Sequence, residues 1–331
     1  MTILLTSAMQ QVSWMRCFRD AAEETGIDLK IIAVHNQPEA SAACLLADMA
    51  FRVPEVPEEN YIDVVLQLCA EHRAALLVPG APYELAKLSA SAPLFAEVGT
   101  HVATSGAMLV DLSRDAEQLN ELAFAAGAAR RELATRAEIM ASPDSYNWPL
   151  KVVPRLQQDY PLGELVLRHR REMSRIPLNV PVLFTSHPKG ERIVVQTLFD
   201  SAGDLVFAAP FALRQIKGEE AICAVTVNDP EVIAIVERLA PILPQPRGPL
   251  FMEFIRDIQG SLFLQSLSPM FCSHYPLVDR AGGKMATWLI WQVLSGTVPD
   301  CFQWTVGLTM LSYNVPLFLF ENNRQNSLPI R

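Results

Sequence analysis

Through the first hundred residues, short apolar runs alternate with amphipathic stretches, and this alternation restricts the fold more than any other feature of the chain. Strands that recur with a helix-length segment between them pair in parallel, with the helices covering the faces of the sheet. Residues 3–5 read as a short buried strand, and residues 12–24 carry helical spacing through Val12, Met15, Phe18 and Ala22. Residues 29–34 return to strand, 61–71 to helix, and 75–78 and 101–103 to strand, which together predict a Rossmann-like lobe. A helix over residues 115–126 follows, with Gly127 placed where a left-handed C′ residue would end it.

From Pro149 the texture turns strand-rich: 150–153, 164–167, 182–185, 192–199, 205–210 and 221–225. The polar stretch 200–204 between two apolar runs signals a hairpin. Asn228-Asp229-Pro230 opens a helix over 230–239, with proline at the first helical position. A second hairpin joins 250–255 to 262–267, and 285–294 reads as an apolar closing helix whose Trp288 and Trp291 serve either the core or a dimer surface. The basic stretch 168–171 reads as the start of a helix with a solvated face.

Charge and cysteine usage exclude several classes of function. Lys and Arg total 27 against 36 Asp and Glu, a net charge of −9, which disfavours nucleic acid as a partner. Neither a leader-like start nor a run of 18 apolar residues is present, so the expectation is a soluble cytoplasmic chain with no membrane contact. The six cysteines (Cys17, Cys44, Cys69, Cys223, Cys272 and Cys301) show no CxxC spacing, which fits buried thiols rather than a zinc site or a disulfide framework. Cys272 and His274 lie two apart and form a weak candidate for a nucleophile with its base. A positive mean hydropathy and the apolar tail 315–320 favour a homo-oligomer or a partner protein.

Particular residues along this order of elements resemble the ATP-grasp superfamily, most closely single-chain proteins related to the carbamoyl phosphate synthase large subunit. The resemblance spans about residues 3–296. Residues 3–19 are similar to the family's opening strand and helix, and 46–54 to its second unit; 224–231 resemble the approach to its large-lobe helix. Arg247-Gly248-Pro249, Glu253 and 260–269 resemble its closing metal-site hairpin. The fold implied is α/β with α+β lobes: an ATP-grasp fold behind an N-terminal Rossmann-like pre-ATP-grasp domain. The implied division is 1–111 for that domain, 112–185 for a small lobe with its linking helix, 186–300 for a large lobe and 301–331 for a tail.

In such enzymes a carboxylate attacks the γ-phosphate of ATP and an amine or thiol then displaces phosphate, with ATP and Mg²⁺ as cofactors. The resemblance assigns Lys151, Arg155, Ser186 and His187 to nucleotide binding, Arg214 to the phosphates as a catalytic residue, and Glu253 to the metal. Several expected letters differ. Ala116 follows Asp115 where the family has a lysine, and Val153 holds the family's strand lysine position, with Lys151 two residues earlier as either its substitute or a solvated strand-start residue. The loop 156–163 contains one glycine where a phosphate loop needs several, and Ser266-Leu267-Ser268-Pro269-Met270 stands for Glu-Ile-Asn-Pro-Arg. One carboxylate with two hydroxyls holds a hard dication weakly.

The reading that follows is a pseudoenzyme that keeps the architecture for binding or assembly, with a small-molecule ligand or a partner protein and possibly no cofactor at all. Its alternative is an active carboxylate–amine ligase rebuilt from Lys151, Arg155, Arg214 and Glu253.

Overall fold

The computed structural model describes residues 1–154, 165–177, 180–186, 189–217, 220–296 and 302–318. Its first unit is a parallel sheet built from β1 (Thr2–Leu5), β2 (Lys30–His35), β3 (Met49–Arg52), β4 (Ala74–Val78) and β5 (His101–Val102), in the order β3-β2-β1-β4-β5. Helices α1 (Val12–Thr25) and α2 (Tyr61–His72) pack on it, as the alternation of the sequence predicts. The strand order reverses between β1 and β4, where the loops that follow them diverge. There the fully buried Glu84 ties the two loops together. Its Oε1 accepts from Thr6 Oγ1 at 2.9 Å, Gly80 N at 2.7 Å and Ala81 N at 3.0 Å, and its Oε2 from Ser7 Oγ and Tyr61 OH, both at 2.7 Å. Burial pushes the pKa of this carboxyl up, and the hydrogen bonds work in the opposite sense. Gly80 is required here because a Cβ would stand 2.2 Å from the Thr6 carbonyl.

Two helices, α3 (Ala107–Arg114) and α4 (Ala116–Ala125), lead onward. Asp115 caps α4 by accepting from Glu117 N and Gln118 N, both at 3.0 Å. At the other end Gly127 has φ +91°, Gly127 N donates to Phe124 O and Ala128 N to Ala123 O, the paired bonds of a Schellman motif. Arg238 Nε adds a 2.6 Å bond to Ala126 O, so the next helix but one closes the same carbonyl end. Gly127→Ala must either hold alanine in the left-handed region or break this end, and its Cβ would also meet the Arg238 guanidinium at 2.9 Å. It is expected to cost about 1–2 kcal/mol, read as a lowered midpoint in thermal or urea unfolding.

A four-stranded antiparallel sheet follows, with β6 (Leu133–Thr135), β7 (Leu150–Pro154), β8 (Val166–Leu167) and β9 (Val182–Ser186) in the order β6-β9-β7-β8. It encloses its own core of Ile139, Leu150, Val152, Leu167 and Phe184. The basic stretch that precedes β9 forms a 3-10 helix, Arg170–Arg175, rather than an α-helix, and Arg168 N bonds back to Glu172 Oε2.

The third sheet, in the order β14-β13-β10-β11-β12-β15, is antiparallel throughout: β10 (Gly190–Phe199), β11 (Leu205–Lys217), β12 (Glu220–Thr226), β13 (Gly248–Asp257), β14 (Leu262–Ser268) and β15 (Thr309–Leu311). The 200–204 hairpin forms as read, with Asp200 Oδ1 accepting from the amides of Ala202, Gly203 and Asp204, each at 2.9 Å. Strand β11 runs seven residues past the predicted 205–210, because β12 pairs with it as far as Lys217 and carries its polar end into the ladder. Helix α5 (Pro230–Leu239) covers one face, where Leu109, Leu119 and Ala123 of the preceding helices join it. The opposite face shares a core with the first unit through α6 (Tyr275–Arg280) and α7 (Met285–Ser295). Phe271 packs there against Trp14 at 5.9 Å and Phe18 at 6.1 Å. No helix among the described residues is long and apolar enough to cross a membrane.

Candidate functional site

Strand alternation places Glu253. Leu250, Met252 and Phe254 of β13 point into the α5-covered core, so the residue between the last two must face the other way. Its cross-strand neighbours are Val194 on β10 and Ser266 on β14. Glu253 is engaged there. Arg192 Nε donates to its Oε1 at 2.7 Å, Arg192 Nη2 bonds the same oxygen, and Ser266 Oγ reaches Oε2 at 3.5 Å. Both side chains are largely withdrawn from water, at 31% and 20% exposure, so screening weakens this pair less than an exposed one.

That geometry fits Mg²⁺ poorly. A dication at Glu253 would meet a carboxylate whose charge a guanidinium on Oε1 already offsets, and the residues beside it, Ser266 and Ser268, carry no charge. Among the described residues, no three His, Cys, Asp or Glu side chains gather into a metal-binding group.

Arg214, Lys151 and Ser186 lie on other strands, β11, β7 and β9. Arg214 Nη1 donates to Glu191 Oε1 at 2.6 Å, and Arg256 joins the same cluster, 3.7 Å from Glu191 and 2.8 Å from Asp229 Oδ1. The bond to Asp229 raises the pKa of Arg256 further. Glu191 and Arg192 are consecutive on an extended strand, hence on opposite faces, and Glu191 pairs across the ladder with Arg256. Arg214 therefore sits with the α5 side of the sheet, and the structure does not bring it to Glu253.

On the four-stranded sheet, Lys151 is half-buried and opposes Thr185 on β9 and Val166 on β8. Thr185 is almost fully buried, and its hydroxyl finds no partner among the described residues. Ser186 opposes Leu150, one position along, so it faces away from Lys151 and is exposed. Arg155, His187 and the loop 156–163 lie outside the described residues.

Cys272 is buried, and burial pushes its thiol up to about 12, so it stays protonated at neutral pH. The His274 ring nitrogens stand at Ala221 O (3.2 Å) and Ser273 Oγ (3.1 Å). Gln196 fixes this segment, accepting from Cys272 N at 2.7 Å and donating to Leu250 O at 3.1 Å. A thiolate nucleophile is not what this arrangement makes.

The residue that the sequence reading passed over is Arg192. The only available signal was a Glu-Arg pair opening an apolar strand, and its partner lies 61 residues away.

Comparison with known proteins matches residues 3–103 to the family described as PylC-like, N-terminal domain. No curated protein matches the sequence. Among solved structures, the biotin carboxylase domain of the Hydrogenobacter thermophilus 2-oxoglutarate carboxylase, in complex with MgADP, ADP and bicarbonate, superposes with a TM-score of 0.68 at 18% identity, covering 91% of this chain and 71% of that one. The N5-carboxyaminoimidazole synthetase of Staphylococcus aureus complexed with ADP gives 0.68 at 12%, covering 92% and 79%. The L-amino acid ligase of Bacillus licheniformis gives 0.66 at 14%, covering 89% and 74%. At such identities the likeness is one of fold.

Proposed function

We propose that this chain keeps its ATP-grasp fold as a scaffold for binding or assembly and no longer activates a carboxylate with MgATP. The observation that carries this reading is the Arg192–Glu253 pair. Where the superfamily's hairpin presents carboxylates to a metal, this hairpin presents one carboxylate, and a cation of the chain itself already neutralises it. The letters around it agree: Ala116, Val153, Ser266, Ser268 and Met270 remove cations or metal ligands that the superfamily resemblance implies. If each such contact supplies roughly 2–4 kcal/mol of transition-state stabilisation, losing four or five removes most of an enzyme's rate enhancement.

Isothermal titration with ATP and Mg²⁺ tests the reading. The expected result is no saturable Mg²⁺-dependent heat at micromolar nucleotide, and a micromolar Kd that vanishes on chelation overturns it.

One observation favours the alternative, an ATP-dependent carboxylate–amine ligase of the biotin carboxylase or carboxyaminoimidazole synthetase type. Lys151 and the hydroxyl of Thr185, which has no partner among the described residues, share a face of the four-stranded sheet. That reading requires phosphate release stimulated by a carboxylate substrate.

A further inference from the structure

A second constellation lies away from the Arg192–Glu253 pair, in a cavity of about 780 Å³ between α1, α6 with the turn after it, and β15. It shares no lining residue with that pair. Its floor is built from groups that are costly to bury. Asp279 is more than nine-tenths buried, accepts from Tyr275 OH at 3.1 Å, and receives Lys284 Nζ at 3.4 Å; Lys284 also bonds Glu24 Oε1 at 3.0 Å. Tyr275 OH in turn accepts from Ala286 N at 2.7 Å, so a hydrogen-bonded chain runs from the start of α7 to the cavity rim. Burial pushes the pKa of Asp279 up and Lys284 pulls it back, and burial drives the Cys17 thiol up beside them. A buried ionic cluster of this kind contributes little net stability, which makes it more informative about a site than about folding.

The rim carries four further charges, Arg16, Asp20, Glu23 and Arg280, none of which enters an ion pair among the described residues. They are two cations and two anions. Asp20 and Glu23 stand three residues apart on α1, and so lie on one side of that helix. Arg280 comes from α6 on the other wall. Leu277, Leu308 and Met310 supply apolar surface between them.

We infer that this cavity is a binding site for a small zwitterion with an apolar body, of which a dipeptide with free termini is the simplest form. Its ammonium would lie against Asp20 and Glu23, and its carboxylate against Arg280 and Arg16. The volume falls in the range of ligand cavities, roughly 300–1,000 Å³. The balanced rim discriminates against guests of a single sign, because each would leave one pair of like charges facing it uncompensated. The inference does not depend on whether the Glu253 face binds nucleotide.

Leu-Leu titrated calorimetrically into the full chain is the direct test, beside N-acetyl-Leu-Leu and Leu-Leu amide. Saturable binding of Leu-Leu is expected, weakened about tenfold or more by blocking either terminus and by either Asp20→Lys or Arg280→Glu. Both substitutions are at exposed positions, and circular dichroism confirms that the variants keep their fold. Absence of saturable binding, or binding indifferent to the blocked termini or to both charge reversals, overturns the assignment.

Discussion

Glu84→Ala is expected to lower stability by about 3–5 kcal/mol, the largest loss foreseen for any single substitution in the chain. Two backbone amides and three hydroxyls converge on this carboxylate at zero exposure, and alanine would remove the acceptor that all five share. Thermal unfolding measures the effect, with a midpoint lower by on the order of 10 °C. Glu84→Gln separates geometry from charge. Its oxygen can take over from Oε1 and keep Thr6, Gly80 and Ala81, while its amide nitrogen faces Ser7 and Tyr61, whose hydroxyls can turn to accept. A cost of only about 1–2 kcal/mol is therefore expected. Equal losses for the two variants would mean that the negative charge, not the acceptor geometry, holds the loops after β1 and β4 together.

The second large effect concerns the metal. If Arg192 is what neutralises Glu253, then Arg192→Ala combined with Ser266→Glu should rebuild two adjacent carboxylates on one face of β13 and β14, since residues 253 and 266 are direct cross-strand neighbours. Mn²⁺ affinity, followed by the loss of its free electron-paramagnetic signal, is expected to rise by about a hundredfold, or ~2.7 kcal/mol, over the parent chain. Arg192→Ala alone should give a small part of that gain, because one freed carboxylate still lacks a charged neighbour. A double variant that binds Mn²⁺ no better than the parent would show that something other than this pair keeps the face metal-free, and would remove the main support for the scaffold reading.

Much of the fold was legible because its signals are local. The βα alternation of the first hundred residues, the Asp-Pro start of α5 and the glycine after α4 each act within a few positions, and each reappears with the hydrogen bonds its letters imply. The Asp200 turn belongs with them. The candidate site resisted the same reading because it depends on register. That Glu253 stands beside Arg192 follows from how β10 and β13 align, and no spacing in the sequence encodes that alignment. The face chosen by Arg214 likewise depends on the β11–β12 pairing, which has a ladder irregularity between Leu213 and Gln215. The length of β11 was underestimated for a related reason: residues 214–217 are mostly polar, yet β12 supplies ladder partners for Gln215, Ile216 and Lys217.

The distribution of apolar cores divides the molecule mechanically. The parallel sheet and the six-stranded sheet are fused by one aromatic seam through Trp14, Phe18, Phe271 and Tyr275, so separating them would wet those rings and the two should melt cooperatively. The four-stranded sheet contributes none of its interior to that seam. Among the described residues it closes its own apolar cluster, so it can move as a unit without wetting that seam.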